Sequence, residues 1–331
     1  MNSASNTKHS MQPNDWWKSA VFYQIYPRSF YDSNNDGIGD LKGIIEKLDH
    51  LNDGNGGGLG IDAIWLSPFF PSPQADFGYD VSDYCDVDPV FGSLKEFDSL
   101  VNESHMRRIR VVIDLVLNHT SDQHPWFTES RQNLTNDKAD WYVWADPKPD
   151  GSPPNNWLAV FGGAAWTYEP QREQFYLHNF LAEQPDLNWY NPEVRAALAE
   201  VIRFWMHRGV DGFRLDTANY YAFDLQLRDN PKRPDGSEVM EDGQESNPLS
   251  AYITKYSKDR PENLEFIKYL RKIFDEKKHI TSIGEIGSGE GLDSTLKLGA
   301  DYVKGKEGLH LAYTFALMSE KMNANYRQIR N

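Results

Sequence analysis

The stretch Gly209-Val-Asp-Gly-Phe-Arg-Leu-Asp216-Thr-Ala-Asn219 holds the key to the fold. Residues 210–215 predict a short buried strand, and Arg214 and Asp216, two positions apart, leave the same face at its C-terminal tip. An apolar strand that finishes in Arg-x-Asp sets a cation beside an anion where a parallel strand opens into a loop. In barrel enzymes that edge carries the chemistry. Taken alone, the pair also reads as a structural ion pair capping a strand.

Upstream, strands are expected over 21–26, 63–66 and 110–117, with helices over 41–51 and 93–107 between them. Downstream, a helix over 262–276 leads to a strand over 280–285, and a short helix near 293–298 leads to a sixth strand over 309–315. A helix over 192–207 precedes the opening stretch, with Asn191 as N-cap, Pro192 at the first helical position and Gly209 as its stop. Alternating strand and helix is the pattern of a parallel α/β fold, here an α/β (β/α)8 TIM barrel of which about six units are present. Residues 121–181 break the rhythm with many Pro, Gly, Asn, Asp and Trp and no clear helix period, so they are expected to form a small inserted domain B. The expected organisation is a disordered tail over 1–15, the first part of the barrel over 16–120, the insertion over 121–181 and the second part of the barrel over 182–331.

The 331 residues carry a net charge of −15, which argues against nucleic acid or an anionic membrane as partner. Cys85, the single cysteine, permits no internal disulfide and favours a reducing compartment. The polar N-terminus lacks an apolar leader, and no apolar run approaches the roughly 20 residues of a membrane span. A cytoplasmic chain is the expectation. Ten Trp and seventeen Tyr suit a cleft that stacks flat faces on sugar rings, although cores use them too.

Polar groups end four of the six strands: residues 76–80, Asn118-His119, Arg214 with Asp216, and Glu285. In a parallel barrel these tips meet on one rim. Asp216 and Glu285 are the best-placed carboxylates for glycosidic cleavage, which needs one to attack an oxocarbenium-like centre and one to protonate the leaving oxygen. Arg214 is expected to hold Asp216 ionised, and an apolar setting from Ile283 and Ile286 to keep Glu285 protonated near neutral pH. A metal site is the alternative for clustered carboxylates and His, but no His-x-x-x-His or Cys pair supports it.

The ordered motifs Asp114-Leu-Val-Leu-Asn-His119, Gln184-Pro-Asp-Leu-Asn188, Gly212-Phe-Arg-Leu-Asp216 and Ile283-Gly-Glu285-Ile resemble those of the α-glucosidases and oligo-1,6-glucosidases of the α-amylase family, glycoside hydrolase family 13. Residues 21–30 and 78–84 match as well, and the resemblance covers nearly all of 16–325. It implies Asp216 as nucleophile and Glu285 as general acid/base of a retaining exo-acting α-glucosidase, a hydrolase of short α-glucosides, monomeric or homodimeric. Asp76, Tyr79, His119 and Arg214 would hold the non-reducing glucose, and Phe161 and Phe180 would shape the pocket, with core packing as the other reading of both Phe. Thr217, directly after the nucleophile, goes in similar enzymes with α-1,4 preference, as for maltose or sucrose, where Val goes with α-1,6. The long insertion, closing one end of the cleft, fits exo action.

One departure stands out. The family's third carboxylate lies in an Asn-His-Asp motif after strand seven, and the only Asn-His here is Asn118-His119 before Thr120. The chain is therefore expected to be truncated and, by itself, to have little activity. In the loop after the first strand, Asp32, Asn34, Asp36 and Asp40 alternate oxygen ligands around Gly37. Similar glucosidases bind a structural Ca²⁺ there through these four and the Ile38 carbonyl; an Asx-rich turn without metal is the other reading. Rival functions are oligo-1,6-glucosidase, trehalose-phosphate hydrolase, sucrose isomerase and, from another class, a non-catalytic transporter-associated relative. That last type carries a membrane span before the barrel and, as heavy chain, lacks the nucleophile.

Overall fold

A computed structural model describes residues 13–234, 248–288, 292–313 and 315. The chain runs through β1 (Phe22–Ile25), α1 (Pro27–Phe30), α2 (Leu41–Leu51), β2 (Ala63–Leu66), α3 (Leu94–Met106) and β3 (Arg110–Leu115). It continues through α4 (Pro125–Ser130), β4 (Trp144–Ala145), β5 (Trp166–Glu169), β6 (Gln174–Leu177), α5 (Pro192–His207) and β7 (Gly212–Leu215). Then come α6 (Asn263–Phe274), β8 (Thr281–Glu285), α7 (Leu292–Tyr302) and β9 (Leu311–Tyr313). Six strands form one sheet in the order β1-β2-β3-β7-β8-β9, each paired in parallel with the next. Sequence order equals spatial order, as in the arc of a parallel barrel.

Local signals place the elements. Asp40 caps α2 by accepting the Gly43 N–H at 2.6 Å, and Asn191 caps α5 by accepting that of Glu193 at 2.9 Å. Past the end of α5, Gly209 takes φ +93, the left-handed turn that lets the chain reverse into β7. The apolar faces of α2, α3, α5 and α6 pack on the outside of the strands in one large cluster that includes Leu48, Phe97, Leu198 and Ile267. Inside the arc sits a smaller cluster of Trp16, Ala63 and Val112, flanked by Trp65 and Ile283. Trp16 also donates its indole N–H to the His279 carbonyl at 2.9 Å, tying the start of the chain to the entry of β8.

Several boundaries differ from the sequence reading. The third strand stops at Leu115 rather than 117, because the Val116 and Leu117 carbonyls accept from Tyr84 Oη and Trp189 Nε1 instead of a neighbouring strand. The disordered tail expected through residue 15 falls outside the described residues up to 12; from Pro13 to Lys18 the chain is a 3₁₀ turn that delivers Trp16 to the core. Helix α7 runs on to Tyr302, four residues past its expected end and buried there beside Leu309. Residues 121–181, expected to form a small inserted domain, hold α4 and the antiparallel sheet β4-β6-β5 over a separate cluster of Val143, Trp157, Trp166 and Phe175. That sheet is tied to the loop after β7: Asn155 Nδ2 donates to the Leu227 carbonyl at 3.1 Å, Trp157 Nε1 to Arg228 at 2.9 Å and Asn156 Nδ2 to Asn230 at 2.9 Å.

Candidate active site

Strand register brings the charged groups together. Asp114 on β3 lies beside Arg214 on β7, and Glu285 on β8 lies beside Tyr313 on β9. One guanidinium serves them all. Arg214 Nη1 donates to Asp114 Oδ1 at 2.8 Å and to Asp216 Oδ1 at 2.6 Å; Nη2 donates to Glu285 Oε2 at 2.6 Å and to Tyr313 Oη at 2.7 Å. The Arg214 side chain is 5% exposed and that of Asp114 fully buried, whereas Glu285 keeps 21%. Asp216 and Glu285 share the Arg214 guanidinium and also Thr217, whose hydroxyl donates to Asp216 and whose N–H donates to Glu285.

Three carboxylates around a single cation cannot all ionise cheaply in a dry setting. Burial pushes the Glu285 carboxyl up, the Asp216 charge pushes it further, and Arg214 and the Thr217 N–H oppose, leaving it at about 7. Burial also raises Asp216 and Asp114 against the pull of Arg214. One expectation needs correcting and one holds. Arg214 is shared rather than dedicated to Asp216, and burial outweighs it there. Burial is the main cause of the rise at Glu285, with Asp216 second; Ile286 next to it is buried, and Ile283, two positions back on the same strand face, packs with the Trp16 cluster. Glu285, poised at about 7, is also the most solvent-accessible of the three.

The other expected residues gather on the same rim. His119 is buried and held neutral, its ring pushed down to about 3 by burial. Gln184 Nε2 lies 2.9 Å from Asp76 Oδ2 and 3.1 Å from His119 Nε2, bridging the two. Tyr79 Oη is 3.4 Å from Asp114 Oδ2. Phe180 packs against His119 at 5.1 Å and Tyr220 at 5.2 Å between centroids, and Phe161 stands beyond it at 5.9 Å. Phe161 is 59% exposed, which removes core packing as its explanation. Thr217 takes φ +41, an uncommon conformation for a β-branched residue; its N–H donates to Glu285 Oε2 at 3.1 Å and its hydroxyl to Asp216 Oδ2 at 3.2 Å. A crevice of 720 Å³, lined by Gln24, Tyr26, Ser67, Asp76, Phe77 and Tyr79, opens beside them.

Asp114, Gln184 and Tyr313 carry contacts that the sequence reading assigned to none of them. Asp114 had a signal: a carboxylate inside the apolar run of β3 needs a buried partner. Gln184 opens one of the four ordered motifs, which flagged the position but not its partner 108 residues away; Tyr313 had no signal, its partner lying 99 residues away.

In the loop 32–40, oxygens alternate as expected, but they are engaged by the loop itself. Asp32 accepts the N–H groups of Asn34, Asn35 and Gly37, Asn34 Oδ1 that of Asp36, and Asp36 that of Ile38. Asp40 gives one oxygen to Ser33 and the other to the start of α2. Among the described residues no group of three His, Cys, Asp or Glu side chains is close enough to hold a metal. The all-oxygen donor set still suits a hard cation, with Asn34 and the Ile38 carbonyl supplementing the carboxylates.

Carboxylates gathered at the C-terminal ends of parallel strands mark the rim where barrel enzymes keep their active sites, and the chain belongs to the alpha-amylase family: residues 24–330 match the alpha amylase catalytic domain. The six parallel strands are an arc of that family's (β/α)8 barrel. A "Probable alpha-glucosidase" of Rhizobium meliloti is 54% identical over 95% of this chain and 56% of its own length. An "Oligo-1,6-glucosidase" of Heyndrickxia coagulans is 46% identical over 83% of this chain and 46% of its own. The crystal structure of the alpha-glucosyl transfer enzyme XgtA superposes with a TM-score of 0.87 at 54% identity, over 92% of this chain and 55% of that one. The chain thus spans about half the length of the relatives it matches. Among the described residues, no helix is long and apolar enough to cross a membrane.

Proposed function

We propose that this chain carries the glucose site of an exo-acting, retaining α-glucosidase acting on short α-glucosides. The observation that carries the reading is Arg214 holding Asp216 and Glu285 on adjacent strand tips, with Glu285 the more accessible and the one poised at about 7. Asp216 attacks the anomeric carbon while Glu285 gives its proton to the departing glycosidic oxygen. The glucosyl ester on Asp216 is then cleaved by water, whose proton returns to Glu285. His119, Asp76 and Gln184 form a polar wall for the sugar hydroxyls, and Phe180 with Phe161 an apolar one. His119, held neutral, can accept or donate there without adding a charge.

Thr217, beside both carboxylates, favours α-1,4 over α-1,6 linkages through a hydroxyl that can pair with the leaving sugar, worth about 1–2 kcal/mol in selectivity. Similarity to an alpha-glucosyl transfer enzyme favours a second reading, in which a sugar hydroxyl replaces water as acceptor. The loop 32–40 is the place for a structural Ca²⁺, held by Asp32, Asn34, Asp36, Asp40 and the Ile38 carbonyl; chelation that leaves the melting temperature unchanged refutes it. A cytoplasmic chain, monomeric or homodimeric, completes the reading.

The decisive test is binding. The iminosugar 1-deoxynojirimycin, a protonated glucose mimic, should raise the melting temperature of this chain, and Asp216→Asn should abolish the rise. An equal rise in the variant refutes the site. In turnover assays of the full-length enzyme maltose should be preferred over isomaltose; the reverse order refutes the linkage assignment.

A further inference from the structure

We infer that Asn219 is a positioning residue for Glu285, acting through the main chain of β8 rather than through any contact with sugar. The inference rests on the proposed role of Glu285 for its catalytic consequence, but not for its geometry. The tips of β7 and β8 carry both reacting carboxylates and are stitched together by three bonds beyond the sheet. Thr217 N–H donates to the Glu285 side chain at 3.1 Å, and Ala218 N–H to the Glu285 carbonyl at 3.1 Å. The third comes from Asn219, whose Nδ2 donates to the Gly287 carbonyl at 2.8 Å. Asn219 is 1% exposed and its amide is fixed from the other side. The same Nδ2 donates to Asp259 Oδ1, while the Asp259 N–H donates back to the Asn219 carbonyl at 3.1 Å. Asp259 reaches this position in the left-handed region, at φ +55, and next to it Lys258 lies over the Tyr220 ring at 4.9 Å. A loop thus grips residues 219–220 and aims one amide hydrogen at the segment two residues past Glu285. An amide is the side chain of this size that can give one hydrogen to each of two acceptors from a single nitrogen.

The reciprocal pair supplies its own control. Asn219→Asp alone sets two carboxylates and a carbonyl face to face. Adding Asp259→Asn exchanges donor and acceptor, so the bond between 219 and 259 re-forms, but the carboxylate at 219 has no hydrogen for the Gly287 carbonyl. The double variant should keep the wild-type melting temperature within about 2 °C. Hydrogen exchange in the peptides covering 216–220 and 284–288 should nonetheless quicken about tenfold or more, with α5 and α6 unchanged. Wild-type protection in those peptides overturns the inference, and so does a loss of protection spread evenly through the fold. Kinetics supply the catalytic arm. α-Glucosyl fluoride needs no proton on its leaving group, so its turnover should fall less than about threefold in the double variant, while that of maltose falls about tenfold or more. Equal losses on both substrates overturn the link to Glu285. Little turnover is expected of this chain by itself, so a wild-type chain that processes neither substrate leaves the proposed site to the 1-deoxynojirimycin binding test, whereas hydrogen exchange still decides the role of Asn219.

Discussion

Glu285→Gln should stabilise the chain, and only above a definite pH. The side chain shares Arg214 with Asp114 and Asp216, so removing its ionisable group leaves two carboxylates on the cation in place of three. Gln keeps the shape of the protonated acid and can still accept from Arg214 and Thr217. In the folded chain the Glu285 pKa is raised from 4.5 to about 7. The unfolded chain therefore releases this proton first, and wild-type stability falls as pH climbs through that interval. At about 1.4 kcal/mol per pKa unit, the loss amounts to about 3 kcal/mol above pH 7. For a chain of this length that is about 6 °C in melting temperature, at roughly 2 °C per kcal/mol. Thermal unfolding of both proteins from pH 4 to pH 8.5 should show a small constant offset below pH 4.5 and a gap that opens to its full size by about pH 7.5. A gap independent of pH would show that Glu285 is not the group that holds the proton. A variant less stable at high pH would mean that the Arg214–Glu285 pair is net stabilising, contrary to the three-carboxylate account.

His124 is buried and pushed down to about 3, so its contribution has the opposite sign: present above pH 6.5 and lost as pH falls. His124→Asn preserves a cap for α4, where the ring now accepts the Trp126 N–H, and should gain about 2 kcal/mol relative to wild type between pH 6.5 and pH 5 in urea titrations; a parallel pair of curves contradicts this. Asp40→Ala removes the cap of α2 and two bonds to Ser33, and should cost about 1–2 kcal/mol by the same method. Trp16→Ala empties the interior of the arc and cuts the link to His279, for a loss of about 3 kcal/mol; a loss under 1 kcal/mol would show that the 3₁₀ turn is peripheral.

The sequence made the fold legible where caps and periodicity agree. Helices α2 and α5 and strand β2 lie where they were expected because Asp40, Asn191 and Gly209 mark ends that tertiary packing does not override. Strands of two to four residues in the insertion escaped notice, since an antiparallel sheet this short carries no readable alternation. Motifs located Asp216, Glu285 and His119, but not what those residues touch. The sharing of Arg214 among three carboxylates depends on strand register, and a one-residue slip between β3 and β7 would send Asp114 to the other face.

The bonds between Asn155, Asn156 and Trp157 and the loop at 227–230 join two segments about 70 residues apart in the chain. Their mechanical effect is that of a keystone. Through them the insertion and the segment after β7 resist separation as a pair. A blow to either side, such as Asn156→Ala, which removes both the bond to the Asn230 carbonyl and the one accepted from the Asn230 N–H, should loosen the other.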